Sequence, residues 1–176
     1  MPLDLYLATV PVLARYLRQL QGQLDKARLH LAAGPGSEAG LLARRLAPDM
    51  FGLAQQIRSA AGFAQRICAP LAGVEAPPLD EADSLAGAQA QLQQALDFIE
   101  RLDAQALRDA AGRRLRSRAG EAELELPAED YVQLYALPNF FFHLSMAYAL
   151  LRQSGVPLGK PDFDGFHRYP AGFSFA

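Results

Sequence analysis

Three histidines, His30, His143 and His167, are the side chains of this sequence best suited to acid–base or metal chemistry near neutral pH. Zinc and similar metals need three or more ligands that converge on one point. No histidine has another histidine three or four residues away, the spacing that places two ligands on one face of a helix. Asp49 and Gln56, expected on one side of a helix, are the candidates to complete a metal site around His143, with His30 as a further ligand.

Two other uses of His143 remain open. We favour a histidine that is hydrogen-bonded inside the protein, and a general base in a metal-free site is the alternative. Asn139 and Phe140, four and three residues before His143, are further pocket candidates. The run Phe140-Phe141-Phe142 covers a wide arc of a helix, so at least one ring should meet another element, a partner chain or a ligand.

Nucleophilic chemistry has little support in this sequence. Cys68 is the single cysteine, lies among apolar residues and is expected to be a packing residue. One cysteine excludes an intramolecular disulfide, which fits a cytoplasmic setting. We find no G-x-S-x-G motif, Walker loop or dinucleotide-binding fingerprint.

Four amphipathic helices should position these side chains, which predicts an all-α four-helix bundle. Apolar residues recur at steps of three and four along each segment. The stripes run over Leu3–Leu31, Met50–Leu71, Leu85–Leu102 and Leu134–Leu151. Pro48 should begin the second helix, and Pro138 should kink the fourth. Ser37 is the expected cap of a short helix after the first stripe, and Ser84 or Asp83 that of the third long helix.

The segment from Gly112 to Leu126 follows a different period. Arginines alternate with small or apolar residues before Gly120, and glutamates alternate with apolar residues after it. Alternation on both sides of a glycine predicts a β-hairpin in which basic and acidic side chains face each other. We favour a solvated ribbon over a binding patch.

Chain length and net charge indicate how many domains to expect and which classes of partner are disfavoured. The 176 residues and the formal net charge of -2 predict one domain without electrostatic attraction to nucleic acid or to an anionic membrane. No signal peptide is expected, and no run of eighteen apolar residues suggests a membrane span.

The aromatic tail, residues 156–176, should pack on the bundle or on a second subunit, and we expect a homodimer. Lys160 and Asp162 could fasten this tail or line a pocket.

Several sequence blocks resemble a bacterial family of unknown function within the DinB/YfiT-like superfamily of four-helix bundles. The similar blocks are Pro138-Asn139-Phe140-Phe141-Phe142-His143, Ala147-Tyr148, Leu151-Arg152 with Gly155, Ala47-Pro48-Asp49-Met50-Phe51 and Gly159-Lys160-Pro161-Asp162-Phe163. The resemblance spans Leu5 to Phe163. It implies a DinB-like bundle, of the up-down-down-up type, with the hairpin before the last helix.

The superfamily is known for a metal site of three histidines, of which this chain retains one. By the resemblance, His143 matches the second histidine of an H-x-x-H motif, and Phe140 stands at the first. The histidine of the second helix falls near Gln56. The resemblance therefore implies a degenerate site for which no metal cofactor is expected. Fold likeness alone does not carry the thiol-transferase or hydrolase activity of other members to this chain.

Two functions are therefore in competition. The first is a ligand-binding or non-catalytic bundle protein with a degenerate site around His143. The alternative is a metal-dependent enzyme of the thiol-transferase or hydrolase class with a non-standard ligand set.

Overall fold

A computed structural model describes residues 3–34, 36–170 and 172–173, and most of them are helical. The elements in chain order are α1 (Leu5–Ala33), α2 (Glu38–Leu42), α3 (Leu53–Ala72), α4 (Leu85–Glu100), α5 (Ala104–Arg108), β1 (Arg114–Ala119), β2 (Ala122–Pro127), α6 (Ala128–Gln153) and α7 (Lys160–Asp164). The long helices α1, α4, α3 and α6 contact one another in that cyclic order and enclose the hydrophobic core. This arrangement confirms the predicted four-helix bundle.

The predicted apolar stripe of α1 is confirmed as a core face. Leu13, Leu17 and Leu20 are fully buried, because their spacing keeps them on one side of the helix. Asp4 caps the helix by accepting a hydrogen bond from the backbone N–H of Leu7 at 3.1 Å. Ser37 and Ser84 cap α2 and α4 in the same way, as predicted.

The start of α3 differs from the prediction. Residues 47–50 form a turn, and the helix begins at Leu53 instead of Pro48. Leu53 N–H donates to the Arg44 carbonyl, which brings the chain back beneath α2. Gly52 makes this approach possible, since a Cβ there would lie 3.2 Å from the Leu42 carbonyl oxygen. Asp49 consequently lies in the exposed turn, and its predicted place on the same helix face as Gln56 is wrong.

The predicted hairpin is confirmed. Strands β1 and β2 pair antiparallel around Gly120, with Arg116 opposite Glu125. The Glu125 carboxylate bridges two of the three arginines of the opposite strand, at 2.9 Å from Arg114 and 3.1 Å from Arg116. These exposed pairs set register more than stability.

Helix α6 contains a widened turn that the sequence pattern did not predict. Its first residues are α-helical, Tyr131–Ala136 form a π-helix, and the α-helix resumes at Leu137. The Leu137 N–H donates to the carbonyl five residues earlier, at Val132. Pro138 follows immediately, where a regular α-helix would set its ring against a preceding carbonyl. The π-turn thus stands where a kink was predicted.

This turn shifts the helix face, so the predicted core position of Leu134 is wrong. Leu134 is 71% exposed, whereas Tyr131 and Val132 of the same segment are buried in the core. An extra residue per turn rotates everything before Leu137 relative to a regular 3.6-residue repeat. The later stripe residues Leu144 and Leu151 stay buried.

Two hydrogen bonds join α6 to α3. The Tyr131 hydroxyl donates to the Arg66 carbonyl at 2.9 Å, and the His143 side chain meets that of Gln56. From the first pair to the second, the residue number rises along α6, from Tyr131 to His143, and falls along α3, from Arg66 to Gln56. The two helices are therefore antiparallel. Tyr131 is the first residue of the π-turn, and His143 lies seven residues after the turn ends at Ala136.

The short helix α7 packs on α1. Lys26 Nζ lies 2.7 Å from Asp162 Oδ1, and Gln23 Nε2 donates to the Asp162 carbonyl at 2.9 Å. Phe163 packs edge-on against Tyr16. Asp162 therefore fastens this part of the tail, one of its two predicted roles. The tail residues Ala171 and 174–176 lie outside the described residues.

Among the described residues, one helix, α6, has the length and mean hydropathy, 1.3, of a membrane-spanning segment. This is weak support for a span, because a core helix of a soluble bundle has the same composition. The absence of membrane partners stays a prediction from the sequence.

The π-turn can be tested with a matched pair of truncations on α6. We expect Leu144→Ala to lower the free energy of unfolding by about 2–5 kcal/mol, since Leu144 is 1% exposed. Leu134→Ala should change it by less than about 0.5 kcal/mol, because the side chain is already in solvent. Urea denaturation measures both. A regular α-helix would make both substitutions costly, so equal losses would contradict the widened turn.

Candidate functional site

The candidate site is the contact between Gln56 on α3 and His143 on α6. The imidazole Nδ1 lies 2.8 Å from the amide Oε1, although the residues are 87 positions apart. Gln56 occupies the first turn of α3 and is 2% exposed, while His143 is half-buried. The antiparallel packing of α3 against α6 produces this pairing.

The hydrogen bonds of Gln56 define the tautomer of His143. Gln56 Nε2 makes a longer contact, 3.4 Å, to the Phe51 carbonyl, which can only accept a hydrogen bond. The amide oxygen is thereby turned toward His143. Because that oxygen also only accepts, the imidazole Nδ1 must carry the proton. Nε2 of the neutral ring then keeps its lone pair free to accept a proton or a hydrogen bond.

The surroundings favour this neutral form. Burial lowers the pKa of His143 below its ordinary value, and the nearby positive charge of Arg66 lowers the pKa further. Removing the ring from water penalises the imidazolium, and no carboxylate hydrogen-bonds to it to compensate. At neutral pH, Nδ1 of His143 therefore donates to Gln56, and Nε2 is available as a hydrogen-bond acceptor.

Aromatic rings surround the imidazole. Phe63 and Phe51 lie nearly parallel to it, with centroids at 5.5 and 6.3 Å, and Phe142 meets it edge-on at 5.3 Å. Arg66 covers the Phe63 ring at 4.9 Å. Phe51 and Phe142 are each about half exposed, which leaves an apolar surface open to solvent beside a polar pair. We call these three phenylalanines with Gln56 and His143 the His143 site.

Of the predicted pocket residues, only Gln56 joins His143 through a side-chain hydrogen bond. Asn139 lies one turn earlier on α6, and its Nδ2 donates to the Tyr135 carbonyl at 2.7 Å. Phe140 is fully buried and its ring packs against Phe141, so its role in this structure is packing in the core.

His30 lies elsewhere. Its imidazole is next to Gly155, just beyond the end of α6 at Gln153. His143 is ten residues before that end, about 15 Å along the helix axis. The geometry therefore does not bring His30 into the His143 site.

The donor set suits a metal poorly. Among the described residues, no group of three His, Cys, Asp or Glu side chains converges. Gln56 presents a neutral amide oxygen, a weak metal ligand. This oxygen is already hydrogen-bonded to His143, the one strong potential metal ligand of the His143 site. Cys68 is buried in the core, where burial raises the pKa of its thiol to about 12, so it is neither a ligand nor a nucleophile near neutral pH.

The sequence reasoning missed the aromatic part of the site. Phe63 follows Gln56 by seven residues, two helical turns, and therefore lies on the same face of α3. That spacing could have identified it. Phe51 carried no such signal, because it lies in the turn before the helix and reaches His143 only through the changed start of α3.

The chain resembles two sets of known proteins. A family model described as a domain of unknown function, DUF1993, matches residues 5–164. A crystal structure of a DinB family member from Shewanella denitrificans is similar at a TM-score of 0.84 and 30% sequence identity, over 95% of each chain. No match is found among curated proteins.

The low pKa of His143 predicts a pH dependence of stability. Unfolding restores the ordinary pKa of about 6.5, so the unfolded chain binds more protons than the folded one just below that pH. This contribution is complete above about pH 6.5 and is lost as the pH falls through the folded pKa. We expect urea midpoints measured from about pH 8 to about pH 5 to fall less steeply in His143→Gln than in His30→Gln. Identical slopes in both variants would contradict the assignment.

Proposed function

We infer that this chain, which belongs to the DUF1993 family and has the DinB-like fold, is a small-molecule-binding protein whose ligand occupies the His143 site. The observation that carries this proposal is the 2.8 Å contact between His143 Nδ1 and Gln56 Oε1. It holds a neutral imidazole in one tautomer beside half-exposed aromatic rings. A purely packing histidine would not need its second nitrogen kept free.

The surroundings suggest what the ligand is like. Phe51 and Phe142 expose apolar ring surface, which suits a planar, largely apolar molecule. Nε2 of His143 accepts a hydrogen bond, so the ligand should carry an N–H or O–H donor. Arg66, whose guanidinium lies over Phe63, adds positive charge at the edge of the site.

Two catalytic functions use the same residues. A metal-dependent enzyme of the thiol-transferase or hydrolase class would place a divalent metal at His143, where the DinB-like fold suggests one. The present donor set offers one strong ligand, and Asp49 lies in an exposed turn, so we rank this function second. A metal-free enzyme with His143 as general base ranks third, since no second catalytic group accompanies the imidazole.

Indole is a suitable probe, because it combines a planar apolar ring with one N–H donor. We expect it to shift the backbone amide resonances of Phe63 and Phe142, which wild type and His143→Phe both retain, in a saturable manner in NMR spectra of the purified protein. His143→Phe keeps an aromatic ring but removes the acceptor, and it should weaken indole binding about tenfold. N-methylindole lacks the donor and should bind both proteins with similar affinity.

Two controls make this experiment decisive. His30→Phe removes a distant histidine and should leave indole binding unchanged. Equal affinity of wild type and His143→Phe for indole would contradict the proposal. So would elemental analysis of chelator-free protein that finds one zinc or nickel per chain, lost in His143→Phe, and that result would support the metal-dependent enzyme instead.

Homodimer formation and a cytoplasmic location are parts of the proposal that rest on the sequence. Light scattering on the purified chain measures the oligomeric state directly.

A further inference from the structure

A cleft of about 600 Å³ lies where α1, α2 and the end of α6 meet. The side chains with N–H or O–H groups that line it include His30, Ser37, Arg44 and Arg45. We propose that this cleft, here called the His30 cleft, binds a compact oxyanion carried by a small molecule, with phosphate favoured over carboxylate.

Unused donors are the first argument. Within the described part of the chain, the His30 ring and the Arg44 guanidinium make no hydrogen bond or ion pair to another residue. Arg45 donates from Nη1 to the Met50 carbonyl at 2.6 Å and keeps its other N–H groups available. Ser37 Oγ accepts from the Gly40 N–H, so its own hydroxyl proton remains free to donate.

Charge is the second argument. No acidic side chain is among the residues that line the cleft, although the whole chain has a net charge of -2. The nearby Glu38 carboxylate turns away to accept from the Leu85 N–H at 3.0 Å and lines a different cavity. Two arginines thus line one cleft without an acidic residue in its lining, an arrangement that a bound oxyanion would neutralise.

The type of ligand follows from these donors. A guanidinium group presents parallel N–H donors that match two oxygens of one phosphate or carboxylate. Two arginines, an imidazole and a hydroxyl supply more donors than the two oxygens of a carboxylate use, which favours phosphate. The volume of the cleft exceeds that of phosphate alone and leaves space for the rest of a small molecule.

Gly155, just beyond the end of α6, lies against the His30 ring at one side of this cleft. A Cβ there would lie 3.5 Å from both Cε1 and Nε2 of His30, and the backbone φ of 87° favours glycine. Because His143 lies about 15 Å back along α6 from its end at Gln153, the His30 cleft is separate from the His143 site. The oxyanion proposal therefore holds whether or not the proposed function does.

Titration with inorganic phosphate tests the proposal, and acetate serves as the parallel carboxylate probe. Ring signals of His30 in NMR spectra, assigned with His30→Gln, should shift to saturation with phosphate. Arg44→Gln should weaken phosphate binding at least tenfold, because one of the two guanidinium groups is lost. Arg101→Gln is the matched control, since it removes the same charge from an exposed site elsewhere and should leave the affinity unchanged.

Each outcome decides between clear alternatives. Tighter binding of acetate than of phosphate, with the same sensitivity to Arg44→Gln, would keep the oxyanion site and identify the carboxylate as its group. Shifts that do not saturate, or equal losses in Arg44→Gln and Arg101→Gln, would overturn the proposal by showing non-specific charge attraction. Arg44 is exposed, so the melting temperature of Arg44→Gln without phosphate should match that of wild type.

Discussion

The antiparallel packing of α3 against α6 is the constraint on which the site depends. Two hydrogen bonds tie these helices together, from the Tyr131 hydroxyl to the Arg66 carbonyl and between His143 and Gln56. The first fixes the register near the π-turn, and the second fixes it near the middle of α6. A slip of α6 along α3 would separate the imidazole from its acceptor and leave the buried Gln56 amide with an unpaired oxygen, which is costly.

The chemistry of the site follows from the same contact. The amide oxygen of Gln56 orients the imidazole by a hydrogen bond but carries no charge that would stabilise imidazolium. Burial and the charge of Arg66, which lower the pKa of His143, therefore keep the ring neutral. A carboxylate at the same place would favour imidazolium, and a histidine would offer a second metal ligand. The glutamine instead leaves one free nitrogen among aromatic rings, an arrangement suited to recognising a donor on an apolar ligand. In the proposed function, Gln56 is therefore the residue that favours a ligand-binding site over a metal centre.

Much of the fold could be predicted from the sequence, because the helices are amphipathic and their caps are local. The stripe of α1, the caps Ser37 and Ser84 and the hairpin around Gly120 all follow from near neighbours in the chain. The late start of α3 did not, since it depends on a hydrogen bond to the loop after α2. The π-turn in α6 did not, because a proline within a helix is compatible with a kink as well as with a widened turn. Leu134 shows the consequence: it fits the helical period but lies in solvent.

The site was only partly predictable for the same reason. His143 was apparent from its type, and Gln56 from the resemblance to a superfamily whose second helix carries a ligand near that position. The orientation of the amide and the approach of Phe51 arise from the loop before α3, where no periodic pattern exists. Asp49 belongs to that loop too, which is why its predicted proximity to Gln56 along a helix did not hold.

The central claim is that Gln56 holds His143 as the neutral tautomer with its proton on Nδ1. A long-range proton–nitrogen correlation spectrum of the protein labelled with nitrogen-15, recorded near neutral pH, distinguishes the two ring nitrogens of each histidine. The account predicts a protonated Nδ1 and an unprotonated Nε2 for His143, and a mixture of tautomers in Gln56→Leu. A proton on Nε2, or a doubly protonated ring at neutral pH, would contradict it.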